Sequence, residues 1–235
     1  MQAIILAGGK GTRLKPYTTV IPKPLMPLGD LPILEIILRQ LKHAGITKIY
    51  LAVGYMPQLF EAIFGNGEKL GLSIEYSQET KALGTAGPIA NLLPKLDENF
   101  LVMNGDVLTT VDYETFLKGH RDSRAAASIC TYAREVKIDF GVVEAKEGRL
   151  DRYIEKPTYH YEVSMGINAL NKRAVEKHLQ EGEFLDMPDL LMKLRNDNQS
   201  VRTVKQTCAW LDIGRPEDYS LALDLFESQK SEFLR

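Results

Sequence analysis

The feature that most limits this chain is a short apolar run that breaks into glycine. Met1 to Leu6 is rich in isoleucine and reads as a buried strand of a parallel sheet. Three glycines follow almost at once, in Leu6-Ala7-Gly8-Gly9-Lys10-Gly11-Thr12-Arg13-Leu14. Glycine lets the backbone turn sharply and lets a ligand come close to its N–H groups. Arg13 follows, then Lys23 between Pro22 and Pro24, and these are the side chains best suited to phosphate oxygens. A strand opening into a glycine loop with fixed cations is a phosphate-handling design.

Two common phosphate loops do not fit. The Walker A pattern requires Gly-Lys-Ser/Thr at its end, and Lys10 is followed by Gly11. The dinucleotide pattern G-x-G-x-x-G, started at Gly9, reaches Leu14 where its third glycine belongs. An NAD-dependent oxidoreductase is disfavoured on that spacing.

At 235 residues and 44% hydrophobic, the chain can bury a substantial core as one domain. A formal net charge of -2 gives no electrostatic reason for nucleic-acid binding. Cys130 and Cys208 are far apart in sequence with no metal-ligand spacing, and read as buried free thiols of a reducing compartment. The first apolar run is too short for a signal peptide and no run is long enough for a membrane span, so the expected location is the cytoplasm.

Helical spacing marks 32–44, where Gly45 stops the run, and 57–64. Strands are expected at 48–53, 73–77 and 100–104, with a helix opened by Gly84-Thr85-Ala86-Gly87-Pro88 and running to Leu93. Alternation of this kind implies a parallel sheet with right-handed crossovers and a ligand at the carboxyl ends of the strands. Gly8, Gln78, Gly84 and Asp106 fall at or just beyond those ends. In the second half, strands at 126–131, 140–144, 150–155 and 163–169 suggest a smaller mixed sheet layered on the first. Helices are expected at 172–179, 187–196 and 216–226, with a strand at 201–205 and a charged tail.

Leu6 to Leu14, Pro16, Thr18 and Pro22-Lys23-Pro24-Leu25 through Pro27 together resemble the signature of the sugar-1-phosphate nucleotidyltransferases, LAGGxGTRLxPxTxxxPKPLxP. The resemblance covers nearly the whole chain. It implies an α/β, Rossmann-like fold with a mostly parallel central sheet, helices on both faces and a smaller mixed sheet. It implies one domain over 1–235, with a nucleotide-binding half (about 1–125) and a sugar-binding half (about 126–235). The C-terminal left-handed β-helix of some relatives is not expected, because no hexapeptide repeats follow Asp212.

The implied reaction joins an NTP to a sugar 1-phosphate with Mg2+ and releases pyrophosphate, supplying a surface glycan. The resemblance assigns catalysis to Arg13 and Lys23. It assigns nucleotide contacts to Leu6, Ala7, Gly8, Gly9, Gly11, Thr12, Arg13, Gln78, Gly84, Thr85 and Asp106. Glu79 competes with Gln78, and Lys15 is a further candidate. Lys23, Gly141, Glu155 and Lys156 of the Glu-Lys-Pro segment, Gly166 and Asn168 are implied for the sugar phosphate. Asp106 and Asp212 are the implied metal carboxylates, a set that suits a hard ion retaining several waters. Leu83-Gly84-Thr85-Ala86-Gly87-Pro88 is closest in wording to mannose- or heptose-1-phosphate guanylyltransferases. CTP, UTP or dTTP, glucose 1-phosphate or a phosphocholine acceptor, and a non-catalytic nucleotide-sugar sensor remain as alternatives. A homodimer is compatible with the sequence, which does not fix the assembly.

Overall fold

A computed structural model describes residues 1–234. The strands, in chain order, are β1 (Gln2–Ala7), β2 (Pro27–Leu28), β3 (Leu31–Pro32), β4 (Lys48–Val53), β5 (Ser73–Gln78), β6 (Asn99–Asn104) and β7 (Val107–Thr109). They continue with β8 (Ala127–Lys137), β9 (Val142–Lys146), β10 (Arg149–Ile154), β11 (Thr158–Asn171), β12 (Val201–Gln206) and β13 (Trp210–Asp212). The helices are α1 (Ile33–His43), α2 (Pro57–Phe64), α3 (Gly87–Ala90), α4 (Tyr113–Ser123), α5 (Lys172–Val175), α6 (Met187–Asn196), α7 (Pro216–Ser228) and α8 (Lys230–Phe233).

Seven strands form one sheet in the order β12-β8-β11-β6-β1-β4-β5. β11 alone runs against the others; β1, β4, β5 and β6 are mutually parallel, and β12 is parallel to β8. Period-two alternation sorts side chains to the two faces. Ala3, Ile5, Leu51 and Met103 join one buried cluster with Leu34, Phe60, Phe116 and Phe226 from α1, α2, α4 and α7. Ile4, Tyr50, Ala52 and Val102 join a second with Ile89, Val175 and Leu190 from α3, α5 and α6. Helices therefore cover both faces, and truncating a fully buried Ile5 or Leu51 to alanine costs about 2–5 kcal/mol.

Two local expectations need correction, and two features have no sequence reading. The second half does not build a separate layer, because β8 and β11 continue the central sheet beyond β6; outside that sheet lie the two-stranded pairs β9–β10, β7–β13 and β2–β3. The helix expected to Leu93 lasts one turn. The amides of Ala86 and Gly87 bond the carbonyl of Leu185, at 2.8 and 3.0 Å, and Leu93–Lys95 follows as a separate tight 3-10 turn that includes Pro94. α4 was unread because polar residues interrupt its apolar face. Its marker is the cap at Asp112, whose carboxylate accepts from the Thr115 amide at 2.9 Å. The charged tail is docked: Phe233 is fully buried beside Phe226, and Gln40 Nε2 donates to its carbonyl at 3.0 Å.

β8 and β11 also run past the core as an exposed two-stranded arm. Direct pairing of Tyr132 with Val163, Arg134 with Tyr161 and Val136 with Tyr159 puts these six side chains on one face. Glu135, Lys137, His160 and Glu162 lie on the other. Among the described residues, no helix is long and apolar enough to cross a membrane. Both cysteines are free, but only Cys130 is buried; Cys208 is half-buried.

Candidate active site

β1 delivers the glycine loop to the carboxyl edge of the sheet, between β4 and β6. Gly11 adopts φ 59°, the left-handed region, and a Cβ there would lie 2.9 Å from Thr18 Cγ2. Thr18 Oγ1 donates to the Gly11 carbonyl at 2.7 Å, and Leu14, fully buried, donates its amide to the same oxygen at 2.9 Å. This clamp leaves Thr12 and Arg13 on a single tight turn, with Arg13 exposed. Pro22 and Pro24 hold Lys23 on a second tight turn, where it is only 7% exposed.

Lys23 is the centre of the site. Its Nζ lies 2.5 Å from Asp106 Oδ2 and 3.9 Å from Asp212 Oδ1. Asp106 follows β6, and Asp212 ends β13. Asp212 pairs with Val107, and the amide of Ile213 donates to the Asp106 carbonyl at 3.2 Å. A short antiparallel ladder, unread in the sequence, is what joins two carboxylates so distant along the chain. Desolvation pushes the Asp212 carboxyl up, as does the charge of Asp106, while Lys23 and Arg13 pull it down.

The donor set fits a magnesium ion. Asp106 Oδ1 is buried without a hydrogen-bond partner, so one carboxylate oxygen is left for a further cation. Asp212 is half-exposed and reachable. Among the described residues no cluster of three or more His, Cys, Asp or Glu could hold a metal, and magnesium, which keeps waters and takes one or two carboxylates, does not need one.

Three adjoining cavities surround these groups. One, of about 240 Å3, is lined by Leu6, Gly9, Gly11, Thr12, Lys23 and Asp106, with Ala7 and Arg13 also on its wall. A second, of about 370 Å3, shares Leu6 and adds Thr85, Gly166, Asn168, Trp210 and Asp212. Asn168 Oδ1 is buried and unpartnered, a second acceptor left open here. A third, of about 400 Å3, shares Arg13, Trp210 and Asp212 and lies on the other side of Arg13.

Gly8 is packed rather than open: a Cβ on it would meet Glu79 Oε1 at 2.7 Å. Glu79, not Gln78, therefore faces the loop, and burial raises its pKa against the Leu83 amide, which lowers it. Gln78 is exposed at the end of β5 and lines none of the three cavities. Gly84 and Thr85 are stitched to the segment before α6: the Thr85 amide donates to Asp186 Oδ1 at 3.0 Å and Thr85 Oγ1 accepts from the Met187 amide at 2.7 Å. Gly141, Glu155 and Lys156 are also outside the three cavities. Gly141 packs against the Tyr153 ring, and Glu155 and Lys156 are exposed in the turn between β10 and β11. Residues the sequence did not single out line the cleft instead. The Tyr132 ring lies 5.3 Å from that of Trp210, whose Nε1 donates to the Met165 carbonyl at 3.2 Å. The alternation of Tyr159, Tyr161 and Val163 was the available signal for this face.

Glycine loop, buried lysine and paired carboxylates at the carboxyl edge of one sheet define an α/β phosphate-handling protein. The chain belongs to the nucleotidyl transferase family, whose pattern matches residues 2–229. It is 35% identical over 226 residues to mannose-1-phosphate guanylyltransferase of Mycobacterium tuberculosis, covering 93% of this chain and 62% of that protein. It is 33% identical over 242 residues to UTP–glucose-1-phosphate uridylyltransferase of Synechocystis, covering 95% and 62%. The fold matches the crystal structure of HddC from Yersinia pseudotuberculosis with a TM-score of 0.74 at 25% identity, covering 96% and 99%. The chain thus spans under two thirds of the length of these two curated relatives.

Proposed function

We propose that this chain transfers a nucleoside monophosphate from an NTP to a sugar 1-phosphate, with magnesium, and releases pyrophosphate. The observation that carries this reading is Lys23 held between Asp106 and Asp212 at the mouth of the glycine loop. A sugar phosphate oxygen attacks the α-phosphorus in line. The new P–O bond forms as the α–β bridging P–O bond breaks, and its electron pair leaves with pyrophosphate. The two reactants are anions that repel, so the protein's work is positioning and charge neutralisation. Backbone N–H groups of Gly9 and Gly11 present donors to the triphosphate. Arg13 neutralises the leaving end, and Lys23 the oxygens of attacking and α-phosphates. Asp106 and Asp212 would hold the magnesium ion, which supplies further charge neutralisation at the α-phosphate.

GTP with mannose or heptose 1-phosphate is the preferred pair, favoured by the guanylyltransferase relative and by the wording of 83–88. UTP with glucose 1-phosphate is the second reading, favoured by the uridylyltransferase relative. The product would serve a surface glycan, made in the cytoplasm. The test is pyrophosphate release across the nucleoside triphosphates and a panel of hexose and heptose 1-phosphates. One preferred pair is expected, and Arg13→Ala is expected to lower its turnover by about 100-fold or more. A folded protein that binds nucleotide yet releases no pyrophosphate with any pair would overturn the reading in favour of a sensor.

A further inference from the structure

The third cavity is built differently from the other two. Arg13, Arg134 and Arg215 all line it, from three separate parts of the chain. Arg13 leaves the tight turn of the glycine loop, and its Nη1 approaches Gly214. Arg134 belongs to the face of the arm that carries Tyr132, which in turn packs on Trp210. Arg215 sits at the entry to α7. Two carboxylates share the wall, Asp212 and Asp218, and Asp218 Oδ2 is turned to the backbone, accepting the amides of Gly214 and Arg215 at 3.1 and 2.8 Å. Among the described residues none of the three guanidiniums forms an ion pair. Three guanidiniums thus face two carboxylates around about 400 Å3, of which Asp212 feels the charge of Arg13, so the corner keeps an excess of positive charge. Guanidiniums bind phosphate in a forked, two-bond geometry.

We infer that Arg134 and Arg215 complete, with Arg13, a subsite for the terminal pair of phosphates, as the β,γ-phosphates of the bound nucleotide and then as free pyrophosphate. This rests on the proposed transfer reaction for its direction. Arg13 is the wall between this cavity and the glycine-loop cavity, so a triphosphate seated on the loop has its distal end directed toward the arginines. The two added residues then position the leaving group in line behind the α-phosphorus.

The test is calorimetric titration of inorganic pyrophosphate, and separately of GMP, into the wild type, Arg134→Gln, Arg215→Gln and the double variant. Both arginines are exposed, so each ion pair is worth an exposed charge contact and each single change is expected to weaken pyrophosphate binding about fivefold. The double change is expected to weaken it further than either single change, by about tenfold or more, since both arginines share one ligand and their losses need not multiply. GMP, which lacks the distal phosphates, is expected to bind all four proteins alike. Arg134→Lys with Arg215→Lys is expected to fall between, keeping charge and losing the fork. Unchanged pyrophosphate affinity in the double variant overturns the inference. So does an equal loss for GMP, or a wild type that binds no pyrophosphate. Wild-type pyrophosphate binding that needs both arginines, without nucleotidyl transfer to any sugar phosphate, sustains the subsite and sinks the proposed reaction. Turnover with arginine-independent pyrophosphate binding does the reverse.

Discussion

Replacing Lys23 with methionine tests the centre of the site. Methionine is unbranched and of similar length, so the change removes charge with little loss of volume. The Lys23 side chain is 8% exposed and its Nζ lies 2.5 Å from an Asp106 side chain that is 25% exposed. Removing one partner of a buried pair costs about 3–5 kcal/mol. Asp106 retains some contact with water, and Asp212 is half-exposed, so the low end, about 3 kcal/mol, is the expected loss. For a chain of this length that corresponds to a fall in Tm of roughly 6–12 °C. The assay is thermal unfolding of Lys23→Met and wild type at pH 7, with and without magnesium. The deficit is expected to narrow as magnesium is added, because a divalent cation replaces the lost charge and stabilises the state that binds it. A Tm within about 2 °C of the wild type would refute the argument that this ammonium holds the two carboxylates together.

Gly11→Ala forces a side chain into the left-handed region and against Thr18, so it is expected to cost about 1–2 kcal/mol and to weaken nucleotide binding tenfold or more, measured by unfolding and by titration. His120 is buried, its Nδ1 2.9 Å from Ser128 Oγ and its Nε2 unpartnered; burial, aided by the charge of Arg202, holds its pKa down to about 4. A histidine depressed in the folded state favours folding above its unfolded value, and that contribution drains away as pH falls from about 6.5 toward 4. His120→Gln is therefore expected to lose about 2 kcal/mol less than the wild type between pH 7 and pH 5, read from denaturant midpoints at each pH. Phe233→Ala is expected to lower stability by about 3 kcal/mol, because the ring is fully buried beside Phe226; a near-silent change in urea unfolding would show that the last helix is not docked.

The first half of the fold was legible because its signals are local. Lys48–Val53 and Pro57–Phe64 are bounded by apolar periodicity and by residues that stop it, and the structure places both at those limits. Asp106 was visible as a carboxylate after a strand, and its partner Asp212 only through a family resemblance. What joins them is the pairing of three-residue strands, too short to leave a period in the sequence. The arm failed for a related reason. Its strands alternate along their length, but joining β11 to β6 is a long-range choice among sheet edges that neither strand encodes alone. Glu79 and Gln78 are neighbours on opposite sides of an extended backbone, so a one-residue uncertainty in register separates the half-buried candidate from the exposed one.

The ladder between β7 and β13 also has a consequence in time. A growing chain emerges with Arg13 and Lys23 before Asp212, which lies 189 residues after Lys23. At about 5–20 residues/s the interval is roughly 10–40 s. Through that interval the nascent chain carries the loop and its cations without the second carboxylate, and Lys23 remains hydrated. Substrate therefore has no finished seat until Asp212 has emerged, and it can act as a folding ligand only after β13 has closed on β7.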